Sequence, residues 1–523
     1  EIMRNGLLKS DPVLGSALVD MYAKVGLLQK SLEIFDQLPS RTVGSWNAII
    51  AAYTREERSK EALSFFIQMK LEGVLPNTIT CICILSACRN IGSIEMGRKI
   101  HSIIKTSWPI EENAAISSAL IGIYAQFGLL DQVEDLFNEA PSRNVDLWNA
   151  LISFYAKHEL SKEVLECLKQ MQLEGVFPDA ITYACGLKTC GNIGALGKGR
   201  ELHAEMVAQH FYGRDLMVGN ALIHMYGKCG FLVEAHKAFK NMLEKNIISW
   251  NTLMAGYVKH YCYDEALCFF EKMERKGVSP DAVTFACILK ACNGVGEIGK
   301  GIEIHCEVEK KGFLERDLVL GNTLIDMYAK HGFLTEAQGV FDKLPKQDTI
   351  SWITLMVGFL KFNQHKKALN CFEQMQLHGT YPDAITFAYG LKACGNIRAI
   401  EKGRQTHAEV IMRGLPETDL IVGIALVDMY SKWGCLETAK TLSKKLQNQD
   451  VVSWNATIAT YAKNEQGEEA LNYFKQMQNE GFSPNAITFA CSLKACASLG
   501  DTVKGREIHA DVERRGLLER SLV

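Results

Sequence analysis

Proline is scarce in this chain of 523 residues, and linker segments and a net positive charge are absent. Only 11 residues are proline, and no stretch rich in glycine and serine interrupts the sequence, so no domain boundary is visible. The formal net charge is −3 at pH 7. A domain that binds nucleic acid through its overall charge is strongly basic. Any such function must therefore depend on where individual cations lie.

Cysteine pairs and long apolar runs are missing as well. The 17 cysteines include no CxxC pair, which argues against disulfides and metal sites and predicts small buried thiols in a reducing compartment. Five of them recur at intervals of 102 residues: Cys88, Cys190, Cys292, Cys394 and Cys496. The longest charge-free stretch is Ala114–Leu130, but its sister segments carry Lys228 or Asp326. It is therefore predicted to be a helix of the repeat structure and not a membrane span.

What the sequence does contain is repetition. Residues 247–281 hold two runs with apolar residues at helical spacing, which predicts a helical hairpin. Asp264 is predicted to be the N-cap of the second helix, and Gly277 to end it in the left-handed conformation. Since one hairpin cannot bury its own apolar face, it needs stacked neighbours.

The neighbours are present at a strict period. A tryptophan, expected in the core between helices, recurs every 102 residues at Trp46, Trp148, Trp250, Trp352 and Trp454. Each period divides into hairpins of 35, 36 and 31 residues, which predicts one all-α solenoid array. After a partial repeat at 1–11, its repeats are 12–42, 43–77, 78–113, 114–144, 145–179, 180–215, 216–246, 247–281, 282–317, 318–348, 349–383, 384–419, 420–450, 451–485 and 486–521. Both ends are expected to be cut from a longer protein.

The motifs SWNxLIxxY and EALxxFxxMxxxGxxPD, with ordered lengths of 35, 36 and 31, resemble pentatricopeptide repeats of the PLS class of plant organellar proteins. The resemblance covers essentially all 523 residues. It implies a right-handed superhelical α-solenoid that binds one single-stranded RNA, one base per repeat. A tetratricopeptide array would instead need a uniform period of 34 residues.

In that family the fifth and last residues of a repeat read one base, because single-stranded bases expose their Watson–Crick edges. The pairs implied here, with the base each would read, are Asn47/Asn77 (C), Ser118/Asn144 (A), Asn149/Asp179 (U), Asn220/Asn246 (C), Asn251/Asp281 (U), Asn322/Asp348 (U) and Asn455/Asn485 (C). Ile353/Asp383 and Ile424/Asp450 lack a polar fifth residue and should discriminate poorly, as should the 36-residue repeats. Repeats 43–485 would then prefer C-n-A-U-n-C-U-n-U-n-n-n-C, read from the 5′ end. The alternative is that these Asn and Asp residues are only helix caps and turns.

Two further series follow the repeat. The second residue would flank the base, and it is apolar at Ile181, Ile248, Val283, Val319, Ile350 and Val452, whereas Gly44 and Asp146 depart. A cation lies eight residues after the reader at Lys24, Arg55, Lys157, Lys228, Lys259, Lys330, Lys361, Lys432 and Lys463; Gln126 breaks the series. Such a ladder would meet phosphates. Its alternative is that cations simply favour helix C-termini.

No catalytic constellation is visible. The HxE runs at His203, His305 and His407 are half of a zinc-deaminase signature, but its PCxxC half is missing, so these histidines are predicted to pack between helices. Gly191, Gly194, Gly197 and Gly199 follow no strand, so they are predicted to be turns between helices and not a phosphate loop. No enzymatic activity, cofactor or metal is expected of this chain.

The resemblance implies target recognition for C-to-U RNA editing in a mitochondrion or chloroplast. Deamination would come from a domain missing here or from an editing-complex protein, and the targeting peptide would lie outside this chain. RNA stabilisation, splicing or translation support without editing is the alternative within the family, and a protein-binding scaffold is the alternative outside it. No membrane and no small-molecule substrate are expected.

Overall fold

The computed structural model describes residues 12–107, 114–140, 142–209, 213, 215–415, 419–446 and 451–515. Within these ranges the secondary structure consists of 30 α-helices without a strand, so the all-α prediction is confirmed. The helices are α1 Pro12–Lys24, α2 Leu28–Gln37, α3 Val43–Arg55, α4 Ser59–Leu71, α5 Thr78–Ile91, α6 Ile94–Ser107, α7 Ala114–Gln126, α8 Leu130–Glu139, α9 Val145–Lys157, α10 Ser161–Leu173, α11 Ala180–Ile193, α12 Leu196–Ala208, α13 Leu216–Lys228, α14 Leu232–Asn241, α15 Ile247–Lys259, α16 Tyr263–Arg275, α17 Ala282–Val295, α18 Ile298–Lys310, α19 Leu318–His331, α20 Leu334–Lys343, α21 Thr349–Lys361, α22 His365–Leu377, α23 Ala384–Ile397, α24 Ile400–Met412, α25 Leu420–Lys432, α26 Leu436–Leu446, α27 Val451–Lys463, α28 Gly467–Asn479, α29 Ala486–Leu499 and α30 Thr502–Arg514.

The helices come in pairs, two to each repeat from 12–42 onward. In repeat 145–179, Asn144 caps α9, and the chain reverses through Glu159, whose φ of 59° is left-handed. The second helix, α10, ends before Gly175 at a φ of 75°. Within residues 12–260, and again within residues 261–515, first helices pack against the second helices of their own repeats and against the first helices of the next repeats. In each of these two parts the first helices therefore form one layer and the second helices another.

The chain divides into two compact units, Glu1–His260 and Tyr261–Val523. Each unit contains its own row of hairpins with a continuous core between the two helix layers. The single uninterrupted array stays a prediction of the sequence. In the described part of the chain, no helix is both long and apolar enough to cross a membrane.

The tryptophans lie in the core, as predicted. Trp148 is 2% exposed, and the Phe137 ring of the preceding repeat meets it edge-on with 4.6 Å between centroids. The same edge-to-face pair occurs at Phe35 and Trp46 and, in the second unit, at Phe341 and Trp352. Such pairs add about 1 kcal/mol to the burial of the rings. The five recurring cysteines are also free and buried, as expected.

Two details of the sequence interpretation were wrong. Asp264 is not the N-cap of α16, because the helix already begins at Tyr263 and Cys262 is the cap residue, without a side-chain hydrogen bond. Asp264 instead lies in the first helical turn, where a negative charge favours the positive end of the helix dipole. Gly277 does end this hairpin in the left-handed conformation, with a φ of 73°.

The glycine-rich segment is the second correction. Only Gly194 lies in the turn, with a φ of 70°. Gly191, Gly197 and Gly199 are helical. A Cβ on Gly191 would lie 2.9 Å from the Met225 backbone and one on Gly199 would lie 2.7 Å from the Met225 sulfur, so these two glycines permit close packing of the helices.

Candidate nucleic-acid interface

The fifth and the last residue of a repeat lie against each other in the structure, although about 30 positions separate them. Asn149 Nδ2 donates to both carboxylate oxygens of Asp179, at 3.0 and 2.9 Å. Three other pairs share the contact: Asn47 with Asn77 at 3.0 Å, Asn322 with Asp348 at 3.4 Å, and Asn455 with Asn485 at 3.1 Å. They meet because the last residue begins the next first helix, which packs beside its own first helix.

The last residue is also a helix cap. Asp179 Oδ1 accepts the backbone N–H of Thr182 at 3.0 Å and so satisfies an orphan donor in the first turn of α11. The same cap is made by Asn77, Asn144, Asn246, Asp281, Asp348, Asp383 and Asn485. Capping, the alternative reading of these residues, therefore holds for the last position.

Capping does not explain the fifth position. Asn47, Asn149 and Asn455 lie in the second turn of their helices, between 5% and 8% exposed. Asparagine is a poor helix former, and a buried amide costs free energy unless it is hydrogen-bonded. These three amides are hydrogen-bonded at the nitrogen by the last residue, and their oxygens have a partner that the sequence interpretation missed.

That partner is a threonine from the following repeat. Thr182 Oγ1 donates to Asn149 Oδ1 at 2.6 Å, and Thr80 donates to Asn47 Oδ1 at the same distance. Thr488 makes the same bond to Asn455. The threonine is the third residue of each 36-residue repeat, at Thr80, Thr182, Thr284, Thr386 and Thr488. The sequence signal that could have revealed this contact is the spacing of 33 residues between each asparagine and its threonine.

The 31-residue repeats differ at this point. They are followed by serine or leucine at the third place, and Ser249 Oγ donates to Asn246 Oδ1 at 3.1 Å instead of reaching Asn220. The Oδ1 atoms of Asn220 and Asn322 are buried without a hydrogen-bond partner among the described residues.

The remaining predicted readers differ in their burial and in the part of the chain to which they belong. Ser118 is half-buried, Ile353 and Ile424 are half-buried apolar residues, and Asp450 lies outside the described residues. Asn251 is 7% exposed and belongs to the first compact unit, whereas Asp281 belongs to the second.

The carboxylates of Asp179 and Asp348 are held ionised. Burial on its own would raise the pKa of Asp179, but hydrogen bonds from the Thr182 N–H and the Asn149 amide outweigh it and lower the pKa. The pKa of Asp348 is lowered in the same way, against burial, by the Ser351 side chain and N–H and by Asn322. Both carboxylates are therefore acceptors only at neutral pH.

The second residues form a row of exposed apolar side chains on the first helices. The six predicted ones are exposed by 44% at Ile181, 56% at Ile248, 54% at Val283, 66% at Val319, 61% at Ile350 and 56% at Val452. The sequence interpretation left out Ile79, Met217, Ile385, Ile421 and Ile487, which occupy the same place and are also exposed. Scattered apolar residues on a surface are ordinary, but these recur at the same place in successive repeats.

The cations of the 35-residue repeats contact backbone carbonyls where the structure gives them a partner. Lys259 Nζ donates to the backbone carbonyl of Lys228 at 2.9 Å, and Lys361 donates to that of Lys330 at the same distance. Arg55 likewise donates to the Ala23 carbonyl. Within the described ranges none of the five forms an ion pair with a carboxylate: Arg55, Lys157, Lys259, Lys361 and Lys463.

Most cations of the 31-residue repeats instead form an ion pair with an aspartate four residues earlier. The Nζ-to-carboxylate distances are 2.7 Å for Lys24 with Asp20, 2.7 Å for Lys330 with Asp326 and 2.6 Å for Lys432 with Asp428. Lys228 is the exception, because His224 takes the place of the aspartate. Burial, followed by Lys228, Lys188 and Lys259, lowers the pKa of His224 to about 4. The histidine is therefore neutral, and among the described residues no carboxylate forms an ion pair with Lys228.

A second cation series was missed by the sequence interpretation. Lys188, Lys290, Lys392 and Lys494 are exposed, and each lies one helical turn after the fifth residue of a 36-residue repeat. They recur every 102 residues, each two positions before one of the recurring cysteines Cys190, Cys292, Cys394 and Cys496.

The HxE histidines pack between helices, as predicted. His203 Nδ1 is 2.9 Å from the hydroxyl of Tyr226, and His305 stands equally far from Tyr328. His101 and His407 make the same contact. No group of three or more His, Cys, Asp or Glu among the described residues could hold a metal ion.

Comparison with known proteins identifies the repeat. The model for the PPR repeat family matches residues 41–90, 143–192, 245–294, 347–396 and 449–498, and the PPR repeat model matches 16–43, 116–145, 220–247 and 322–348. Pentatricopeptide repeat-containing protein At4g39530 of Arabidopsis thaliana is 32% identical over 92% of this chain and 57% of its own length. The chloroplastic At3g63370 is 31% identical over 97% and 53%, and the mitochondrial At3g02330 is 32% identical over 95% and 57%. The chain thus spans a little over half the length of these relatives.

Solved structures share the fold. PPR10 in complex with an 18-nt psaJ RNA element has a TM-score of 0.62 and 20% identity over 97% of this chain and 80% of that one. PPR10 from maize, in another crystal structure, has a TM-score of 0.54 and 20% identity over 96% and 78%. With the repeat models matching from residue 16 to residue 498, this chain belongs to the pentatricopeptide repeat family.

Proposed function

We propose that this chain binds single-stranded RNA sequence-specifically, with one base facing each repeat. The observation that carries the proposal is the pair of polar side chains that meet within 3.4 Å at four repeat boundaries. An asparagine that bonds to a neighbouring side chain through one N–H keeps a second N–H for a base. The last residue supplies either an acceptor or a donor beside it.

The identity of the last residue fits a choice between pyrimidines. Ionised aspartate only accepts, which matches the ring N–H of uracil, whereas asparagine can donate, which matches the ring nitrogen of cytosine. Asp179 and Asp348, ionised by their hydrogen bonds, would favour U. Asn77, Asn246 and Asn485 would favour C.

The apolar second residues supply the faces against which a base would lie. Ile181 is exposed in the first turn of α11, the helix that Asp179 caps, so it lies close to the reading pair. Single-stranded bases are commonly held by stacking on side chains while their edges are read. This support for the proposal is independent of the hydrogen bonds.

Phosphate contacts are assigned to the cation ladder. The five cations of the 35-residue repeats, with Lys228 and the Lys188 series, carry charge that no aspartate neutralises. An RNA strand that passes the fifth residues would run beside them, which reconciles the binding of a polyanion with the net charge of −3. The helix-dipole explanation accounts for one cation at a helix end and not for Lys188, which lies inside α11.

The biological role proposed is selection of sites for organellar C-to-U editing. The repeat lengths of 35, 36 and 31 support the PLS class, and relatives named chloroplastic or mitochondrial support an organelle. We place deamination in a domain outside this chain or in a partner. Sequencing organellar transcripts after loss of the gene tests this role: one or a few cytidines should lose conversion while transcript levels hold. A fall in transcript level or splicing with conversion unchanged would favour RNA stabilisation or processing instead.

RNA binding itself is tested by a panel of RNAs that differ only in the base opposite repeat 145–179. At fixed salt we expect U to bind best there. Equal affinity for all four bases, with tight overall binding, would make the chain a non-specific RNA binder. No binding at any base would favour the protein-binding scaffold.

A further inference from the structure

We propose that the threonine at the third place of a 36-residue repeat is a positioning residue for the base read by the repeat before it. The inference rests on the proposed function and concerns Thr80, Thr182 and Thr488, whose hydroxyls contact the fifth-position asparagine. These threonines would not touch RNA. They would fix which atoms of the asparagine amide remain for a base.

The geometry in repeat 43–77 defines the arrangement. Asn47 Nδ2 donates to Asn77 Oδ1 at 3.0 Å, and Asn47 Oδ1 accepts from Thr80 Oγ1 at 2.6 Å. The amide is thus held at both ends. Turning it over would place its oxygen against Asn77 Oδ1, which is itself fixed by the Thr80 backbone N–H at 3.1 Å. One N–H of Asn47 is left in a fixed direction, and a base must offer an acceptor to it.

The threonine proton has two possible acceptors, and the distances indicate which one it takes. Thr80 Oγ1 is 2.6 Å from Asn47 Oδ1 and 3.0 Å from Asn77 Oδ1, which already accepts two other hydrogen bonds. Where the fifth residue is Ile353, the equivalent Thr386 instead lies 2.6 Å from Asp383 Oδ1. The hydroxyl therefore turns to the cap when no asparagine is present and to the asparagine when one is.

The 31-residue repeats lack this hydrogen bond from a threonine to the fifth residue. Repeat 216–246 has the same Asn/Asn pair, but Ser249 bonds to Asn246 and leaves Asn220 Oδ1 buried without a partner among the described residues. A buried, unpaired carbonyl favours any rearrangement that finds it a donor, including one from a base. We therefore expect the 35-residue repeats that pair with threonine to select their base more sharply than the 31-residue repeats.

Ser249 also provides a matched control. Thr80 Oγ1 accepts the Asn77 N–H at 3.1 Å, and Ser249 Oγ accepts the Asn246 N–H at 3.3 Å, so both hydroxyls complete a capping box. Removing either one weakens a helix start. Only Thr80 also contacts a fifth-position asparagine, so a loss of selectivity that follows from helix stability alone would appear in both variants.

The experiment compares Thr80→Val with Ser249→Ala in the full chain. For each protein, affinities are measured at fixed salt for RNAs with C or U opposite repeat 43–77 and, separately, opposite repeat 216–246. We expect Thr80→Val to lower the preference for C over U at repeat 43–77 by roughly threefold to tenfold, the value of about one net hydrogen bond. Ser249→Ala should leave the preference at repeat 216–246 unchanged, and Thr80→Ser should restore the wild-type preference at 43–77.

Thermal unfolding of each variant checks that it is folded. If Thr80→Val does not fold, the same change at Thr488 tests the pair Asn455/Asn485 in the second compact unit. Unchanged selectivity in a folded threonine variant, or an equal loss in Ser249→Ala, would overturn the positioning role while leaving RNA recognition intact. A wild-type chain that ranks C and U alike at both repeats would overturn the proposed function, and this inference with it.

Discussion

Buried asparagine in the second turn of a helix is the residue-scale feature that most needs an explanation. Asn149 is 5% exposed, and its nitrogen bonds to Asp179 while its oxygen bonds to Thr182. A leucine there would add core area and helix propensity. A buried amide that is held by two neighbours is costly for folding alone, and it suits a group that reads a ligand.

Asp179→Asn is the most direct test at a single residue. The change keeps the cap on α11, because an asparagine oxygen can accept the Thr182 N–H, but it replaces an acceptor with a group that can also donate. The preference opposite repeat 145–179 should move from U toward C by roughly 1 kcal/mol. Affinities for RNAs with U or C at that one position measure the shift. If mutant and wild type rank the two bases alike, the hydrogen-bond account of this repeat is wrong.

At the scale of the repeat, one substitution should create base selectivity where the wild type lacks it. Repeat 349–383 has the capping Asp383 and the threonine Thr386 in place, but its fifth residue is Ile353. Ile353→Asn would complete a set of three side chains equivalent to Asn149, Asp179 and Thr182. We expect a new preference for U opposite this repeat, where the wild type should be nearly indifferent.

The matched control for that change is Ile353→Ala, which removes the isoleucine without adding an amide. Both variants are measured against RNAs with each of the four bases at the facing position. A U preference in Ile353→Asn but not in Ile353→Ala is the expected result. If both variants remain indifferent, then the three side chains do not suffice to read a base.

Sequence interpretation predicted contacts within a single repeat correctly and failed for contacts between neighbouring repeats. Helical spacing placed Trp148 in the core correctly, because burial of a tryptophan follows from the periodicity of its own helix. The role of Gly199 was misjudged, since it depends on Met225 from a neighbouring repeat. The contact between Thr182 and Asn149 was missed for the same reason. Contacts within one hairpin can be read from a pattern, whereas contacts across a repeat boundary need the packing.

The charges illustrate this limit. A lysine eight residues after the fifth position is visible in the sequence, and so is an aspartate four residues before it on the same helix, but a contact between the lysine and a carbonyl of the preceding repeat is not. Lys330 forms an ion pair with Asp326, whereas Lys361 donates to a backbone carbonyl, so no carboxylate compensates its charge. Two residues at the same place in their repeats therefore differ in what they can offer to a phosphate.

This difference gives a prediction for the molecule as a whole. Replacing Lys157, Lys259 and Lys361 with alanine should weaken binding to all RNA sequences alike. It should also reduce the steepness of log K against log salt by roughly 2, because each phosphate contact to a single strand contributes about 0.7. Affinity measured across a salt series gives the slope.

The control is a triple change of the same net charge, with Lys24, Lys330 and Lys432 replaced by alanine. Since these lysines are paired with Asp20, Asp326 and Asp428, their loss should change the slope much less. Thermal unfolding checks that each triple variant is folded. Equal slopes in both triple variants would mean that position along the helix, and not freedom from an aspartate, decides which lysines meet RNA.

The most direct measurement of the central claim is the affinity of the chain for C-n-A-U-n-C-U-n-U-n-n-n-C at fixed salt. It is compared with an RNA of the same composition in which only the seven specified bases are permuted. We predict that the specified RNA binds at least tenfold more tightly, since seven positions each worth a fraction of a hydrogen bond add to more than about 1.4 kcal/mol. The preference should persist as salt rises and total affinity falls. Equal affinity for the two RNAs would contradict base reading by the paired asparagines and leave only backbone binding.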